Sequence, residues 1–224
     1  MTEQVQTNGA EPVDCEQTQK VFDLGSVHCC FEKACLETGE VHLANYCNAW
    51  RELNKFLNTL GTLFTFVTHD VAEKVDILET YLKSDPENYQ TINSMLKFEV
   101  DNKITKTKKP SASRTLLRLH RALVYILTLF ENLSAAKADA KVSSISREAY
   151  DATLSKHHTW IVRKACNLAM YSLPLRSVLL HRIDSEEGAE ARIVTHLTNI
   201  SSSARRVYDI TEALYTQFKL HDLP

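Results

Sequence analysis

The stretch from Ser113 to Phe130 most constrains what this chain can fold into. Leu116, Leu119, Leu123, Ile126, Leu127 and Phe130 recur at intervals of mostly three and four, which places them on one stripe of an α-helix. Arg114, Arg118 and Arg121 fall at i, i+4 and i+7 and stack along another face. No carboxylate occurs between Asp101 and Glu131, so these guanidiniums have no counter-ion nearby in sequence. Stacked guanidiniums suit a phosphate, which they can hold through paired, charge-assisted hydrogen bonds. A solvated basic face is the plainer reading of the same three residues.

The same helical spacing runs through most of the chain, and only five Gly and five Pro interrupt its 224 residues. An all-α protein of eight or nine helices is therefore expected. A formal net charge of −2 gives no electrostatic reason to expect a nucleic-acid partner, so any anion site must come from a local cluster. No run reaches the ~20 apolar residues that span a bilayer. Residues 1–19 are polar and acidic, without the apolar core of a signal peptide, and read as a disordered tail ahead of a single domain over 20–224. The six cysteines show neither a CxxC pair nor zinc-ligand spacing, and they read as buried free thiols on apolar helical faces.

Helices are expected over about 21–36 and 41–60, with Gly61 as a stop after the second. On the next, from about Leu63 to Leu82, the apolar face of Leu63, Phe66, Val67, Val71, Ile77 and Leu78 also contains Asp70 and Lys74. A carboxylate and an ammonium inside an apolar stripe are costly unless paired or liganded. They read either as an i, i+4 ion pair or as the polar floor of an apolar cavity, and the second is favoured. Asp85-Pro86 caps a helix to about Asp101, and Lys103, Lys106, Lys108 and Lys109 follow in a connector before the arginine helix, which Ser111 or Ser113 caps.

From Ala135 to Ser146 the chain is small and polar and reads as a loop, with a short helix near 147–155 after it. The next helix, wrapped at 3.6 residues per turn, puts His158 at the centre of a stripe of Ile161, Val162, Ala165, Cys166, Ala169 and Leu173. Trp160 then projects the opposite way, beside Arg163, Lys164 and Asn167. An outward Trp among cations suits a side chain that docks at a bilayer interface. A short helix from Pro174 and a last helical region over about 185–219, with a possible break at Ser201–Ser203, complete the chain.

No GxSxG, P-loop, dinucleotide fingerprint or HExxH motif is present, and no cofactor is implied. Asp70 and His158 could form a catalytic pair in principle, but no Ser or Cys nucleophile motif accompanies them, so the chain is read as a non-enzyme. One acid, one imidazole and several cations above an apolar interior describe the headgroup site of an anionic amphiphile.

The segments Phe64–Lys74, Ser113–Leu123, His158–Ala165 and Leu173–Arg176, and the ending Leu-His-Asp-Leu-Pro, resemble the glycolipid transfer protein family over nearly the whole chain after the tail. Within that family the likeness is to the members that carry ceramide-1-phosphate. It implies a two-layer helical sandwich enclosing a lipid pocket, with Asp70 and His158 on the ceramide amide and Lys74, Arg114 and Arg118 on the phosphate. Sugar-binding members have a Trp at the position of Arg118; an arginine removes that stacking platform and adds charge. Thr159 stands where close relatives often have Pro. The resemblance further implies non-vesicular transfer of ceramide-1-phosphate by a cytosolic monomer in transient contact with Golgi, endosomal or plasma membranes, and the outward Trp160 with Arg163 and Lys164 is read as the docking surface. Transfer of a neutral glycosphingolipid and a lipid-sensing adaptor are the alternatives.

Overall fold

The computed structural model describes residues 22–107 and 109–224; the tail over 1–19 and Lys108 lie outside the described residues. Ten α-helices are present among the described residues: α1 (Leu24–Ala34), α2 (Leu43–Thr59), α3 (Thr65–Ser84), α4 (Pro86–Tyr89), α5 (Ile92–Asp101), α6 (Ala112–Ala135), α7 (Val142–Ala152), α8 (Trp160–Tyr171), α9 (Arg176–Ile183) and α10 (Ala189–Phe218). The architecture is the all-α two-layer sandwich that the resemblance implies. One helix more than expected appears because the 85–101 region is two, with Thr91 opening the second through a reciprocal capping box with Ser94.

Helix α1 packs on α2 and α10, α2 on α3, α3 on α6, and α6 on α10, so five helices close a ring around one apolar interior. Phe22, Phe56 and Phe130 make a chain of ring contacts across it, at 5.4 Å each. Leu53, Val75, Leu78, Leu116, Leu123 and Leu127 fill the surrounding space and are fully buried.

Local chemistry explains the element boundaries. Gly61 takes φ 112, where a side chain would be strained, and turns the chain from α2 into a 3-10 turn at Thr62–Phe64 ahead of α3. Asp85 caps α4 by accepting from the Asn88 N–H, with Pro86 in the first turn, as expected. The Ser-rich run expected to be a loop is helix α7, because Val142, Ser146, Ala149 and Tyr150 form a buried face and the Ser146 hydroxyl pairs with Tyr125 at 2.7 Å. Helix α10 runs unbroken through Ser201–Ser203. The Ser203 hydroxyl donates to the Asn199 and Ile200 carbonyls and lies 3.1 Å from His28 Nδ1, so its polar group is satisfied inside the packed helix.

The cysteine expectation needs correction. Among the described residues only Cys47 is buried; Cys30, Cys35 and Cys166 are half-buried and Cys29 is exposed. Arg176, by contrast, is buried at 2% exposure, where it donates through Nε to the Leu133 carbonyl at 2.7 Å and pairs with Glu190. It ties the start of α9 to the end of α6 and the first turn of α10.

Candidate headgroup site and membrane face

Helix α6 holds the arginines. Its first turn is fixed from three sides: the Ser111 hydroxyl accepts from the Arg114 N–H at 3.2 Å, and the Glu99 carboxylate accepts from the Ala112 and Ser113 N–H groups at 2.8 and 2.9 Å. The third hold is the Tyr215 hydroxyl, which donates to the Ser113 carbonyl at 2.7 Å. Glu99 is fully buried and also receives the Tyr89 hydroxyl at 3.2 Å. With those N–H groups spent on Glu99 and Ser111, this helix start has few left for an outside anion, so anion contacts fall to side chains.

Arg114 Nε donates to the backbone oxygen of Pro224 at 2.7 Å, and Arg118 Nη2 reaches the same oxygen at 3.5 Å. The two guanidiniums therefore converge on one point. Arg121, one turn further, donates through Nη2 to the His221 carbonyl. Arg121 is half-buried rather than part of a solvated face, and burial lowers its pKa from the ordinary value, with the Arg118 charge acting the same way and Tyr215, Asp222 and Glu212 opposing it.

On α3, Lys74 is buried at 8% exposure and forms an ion pair with the Asp70 carboxylate, while its Nζ also donates to the Asp70 carbonyl at 3.3 Å. The pair is an i, i+4 ion pair with the lysine buried. The exposed Asp70 carboxylate corrects the expectation that it sits inside the apolar face, as do Leu63 and Phe66, exposed at 46% and 44%. The helix is rotated so that Thr68, Val71, Lys74, Val75 and Leu78 face the core. Carboxylate solvation decides this: Asp70 keeps water while the longer lysine lays its methylene stem inside.

His158 also departs from expectation. Helix α8 begins at Trp160, with Thr159 as its cap, and His158 is extended at the end of a 3-10 turn over Ser155–His157. It is not on the α8 stripe, and Ile161 and Val162 of that stripe are exposed. The His158 ring is held instead by Tyr150, whose hydroxyl is 2.8 Å from Nδ1. Burial holds the imidazole below its usual range; the nearby Asp70 carboxylate opposes this and the Lys74 ammonium adds to it. Burial also pushes the Tyr150 phenol up, so it stays a protonated donor. In the tautomer in which Tyr150 donates to Nδ1, Nε2 carries the ring proton and can donate to a carbonyl.

Of the expected site residues, Asp70 and Lys74 stand on α3 and Arg114 and Arg118 on α6, helices that pack directly on each other, while His158 stands on the turn ahead of α8. No hydrogen bond or ion pair among the described residues joins the two pairs. Among the described residues, no set of His, Cys, Asp or Glu side chains is placed to hold a metal ion. Three contributors escaped sequence reasoning: Glu99, Tyr150 and the segment His221–Pro224. Each acts across the fold, at separations periodicity cannot register.

Trp160, Arg163 and Lys164 lie together on exposed α8, where they border a groove of about 780 Å³ that Arg147, Leu168 and Tyr171 also line. Trp160 is 65% exposed, and the Lys164 ammonium sits 5.7 Å from its ring centre. Helix α8 packs on the 3-10 turn that holds Leu63, and Leu63, Phe66, Ile161 and Val162 are exposed apolar side chains on these neighbouring elements. No helix among the described residues is long and apolar enough to cross a membrane.

Comparison with known proteins gives the family and the fold. Ceramide-1-phosphate transfer protein of Rattus norvegicus is 39% identical over 215 residues, spanning 92% of this chain and 98% of the relative. The crystal structure of the apo form of mouse ceramide-1-phosphate transfer protein superposes with a TM-score of 0.85 at 38% identity, covering 91% of this chain and 100% of that one. The human protein in complex with 2:0 ceramide-1-phosphate gives a TM-score of 0.83 at 34% identity, over 91% of this chain and 99% of that one. The sequence profile described as Glycolipid transfer protein (GLTP) matches residues 41–185, more than half of the chain. The chain belongs to the glycolipid transfer protein family.

Proposed function

We propose that this protein binds ceramide-1-phosphate and carries it between membranes without a covalent step. The observation that carries the reading is the convergence of Arg114 and Arg118 on a single oxygen, on a helix face whose sequence supplies no carboxylate. Two guanidiniums aimed at one point can share one phosphate, and Lys74 lies on the helix packed against theirs. Asp70 would accept from the ceramide amide N–H and hydroxyl, and the Nε2–H of His158 would donate to the amide carbonyl. The relatives named above, including one in complex with a ceramide-1-phosphate, support the choice of ligand.

Exposing a 16-carbon acyl chain to water costs about 12 kcal/mol, at roughly 0.8 kcal/mol per methylene, so unaided desorption is slow. The apolar interior would open between its helices to take the chains. Trp160, Arg163, Lys164 and the exposed apolar residues beside them would dock the protein on the donor surface, and release would reverse the sequence at the acceptor. A cytosolic protein in peripheral contact with membranes fits this cycle.

Vesicle-to-vesicle transfer measured side by side for ceramide-1-phosphate and a neutral glycosphingolipid tests the reading. Movement of the phosphate lipid alone is expected, with Arg118→Leu abolishing it while the helical circular dichroism is retained. Equal movement of the sugar lipid, or full transfer by Arg118→Leu, overturns it. Binding without transfer would favour a lipid-sensing adaptor.

A further inference from the structure

We propose that the cleft between α6, the turn after α7 and α10 is an anion site of its own, a seat in which Arg121, Lys156 and His157 hold a phosphate-type oxyanion. The seat does not depend on the assignment of Arg114 and Arg118 to the lipid phosphate.

Three elements build the cleft. Helix α6 contributes His120 and Arg121, and α10 contributes Tyr208 and Glu212, one turn apart. The 3-10 turn over Ser155–His157 supplies Lys156 and His157 on the third side. The space between them is about 250 Å³, enough for a compact oxyanion and several waters at ~30 Å³ each. Its inner wall is fixed. His120 is buried at 2% exposure, its ring stacks on Tyr208 at 4.3 Å, and its Nε2 lies 2.6 Å from the Glu212 carboxylate.

The charge in the cleft leans positive. Arg121 is half-buried and bonds the neutral His221 carbonyl. Among the described residues, neither Arg121 nor Lys156 forms an ion pair with a carboxylate. A half-buried guanidinium without an anionic partner carries a desolvation cost that an anion relieves. Glu212, the carboxylate that lines the cleft among the described residues, is engaged on both oxygens, by His120 and, at 3.6 Å, by His221. Asp222, which also acts on Arg121, is exposed to water. The His157 ring registers the balance: partial desolvation, then Arg121, Lys156 and His158, push its imidazole down to about 4, and Glu212 opposes them with the smallest effect. An oxyanion in the seat offsets those cations, so His157 takes up a proton and becomes a third charged donor beside the guanidinium and the ammonium.

The probes are inorganic phosphate and sulfate, the second because its charge is constant where imidazoles titrate. Each is added to the full chain at constant ionic strength while the His157 imidazole is followed by NMR. Saturable binding is expected, with the His157 pKa raised by about one unit or more. Lys156→Gln, a change at an exposed side chain, should weaken binding by about tenfold, and Arg118→Leu should leave it within about twofold. No saturable shift, an equal shift in chloride, or full binding by Lys156→Gln overturns the seat. Loss of binding in Arg118→Leu also overturns it, by placing the anion in the clamp instead. A second arm measures sedimentation with phosphatidylcholine vesicles, with and without phosphatidic acid. A gain from phosphatidic acid that Lys156→Gln removes assigns the seat to a membrane headgroup; without such a gain, saturable binding of the free anions assigns it to a soluble phosphate. Failure to transfer ceramide-1-phosphate would overturn the lipid assignment and leave the seat standing.

Discussion

The Tyr150 hydroxyl and His158 Nδ1 lie 2.8 Å apart and join the buried face of α7 to the extended residue just ahead of α8. That contact couples the imidazole tautomer to the phenol: where the Tyr150 hydroxyl donates to Nδ1, the ring proton sits on Nε2. Tyr150→Phe removes the coupling while keeping the ring packed against Tyr125 at 6.1 Å. Transfer of ceramide-1-phosphate is expected to fall by roughly fivefold to tenfold, matching the loss of one buried hydrogen bond of about 1 kcal/mol. An unchanged transfer rate would separate Tyr150 from the role of His158.

Trp160 acts at a different stage from the arginines if it serves docking. Trp160→Ala is expected to weaken sedimentation with vesicles by roughly tenfold, since it removes a large exposed aromatic surface. Affinity for a short-chain ceramide-1-phosphate in solution should stay within about twofold. Loss of soluble-lipid affinity as large as the loss of vesicle binding would place Trp160 in the headgroup site.

Glu99 fixes the start of the arginine helix through two N–H bonds of 2.8 and 2.9 Å from a fully buried position. Glu99→Ala leaves those donors without a partner and is expected to cost about 2–3 kcal/mol of stability in urea unfolding. Glu99→Gln keeps one acceptor and should cost less. Equal stability of the alanine variant would show that the cap contributes nothing to α6.

Acid is expected to destabilise the fold in a defined window. Burial holds His120 and His158 below the usual imidazole range, so the native state keeps them neutral where the unfolded chain takes up protons. Stability from these groups is fully present above the unfolded pKa of about 6.5 and is lost as pH falls from there through the lower native values. Glu212, held below the ordinary carboxylate range chiefly by its bond from His120, adds loss in the same direction at still lower pH. Thermal melts should show a plateau above pH 7 and a steady decline below 6.5. His120→Phe should flatten the upper part of that decline; an identical slope would remove His120 from the explanation.

Periodicity alone determined that this is an all-α chain, where α1, α2, α3, α6 and α9 roughly run, and that α6 carries stacked arginines over an apolar stripe. Those features follow from residues three and four apart, which sequence displays directly. The pairing of Asp70 with Lys74 was legible for the same reason. The place of His158 was not, because the Thr159 cap ends one element and starts another, and a wrapped helix drawn through it gives the wrong face. The exposure of Asp70 was hidden too: α3 rotates to suit carboxylate solvation, which depends on neighbours beyond the helix. Tertiary structure alone brought Pro224 to Arg114 across 110 residues, Tyr150 to His158, and Glu99 beneath the α6 start. Such contacts are set by how helices pack, and the energy of packing belongs to the assembled fold rather than to any window of the sequence.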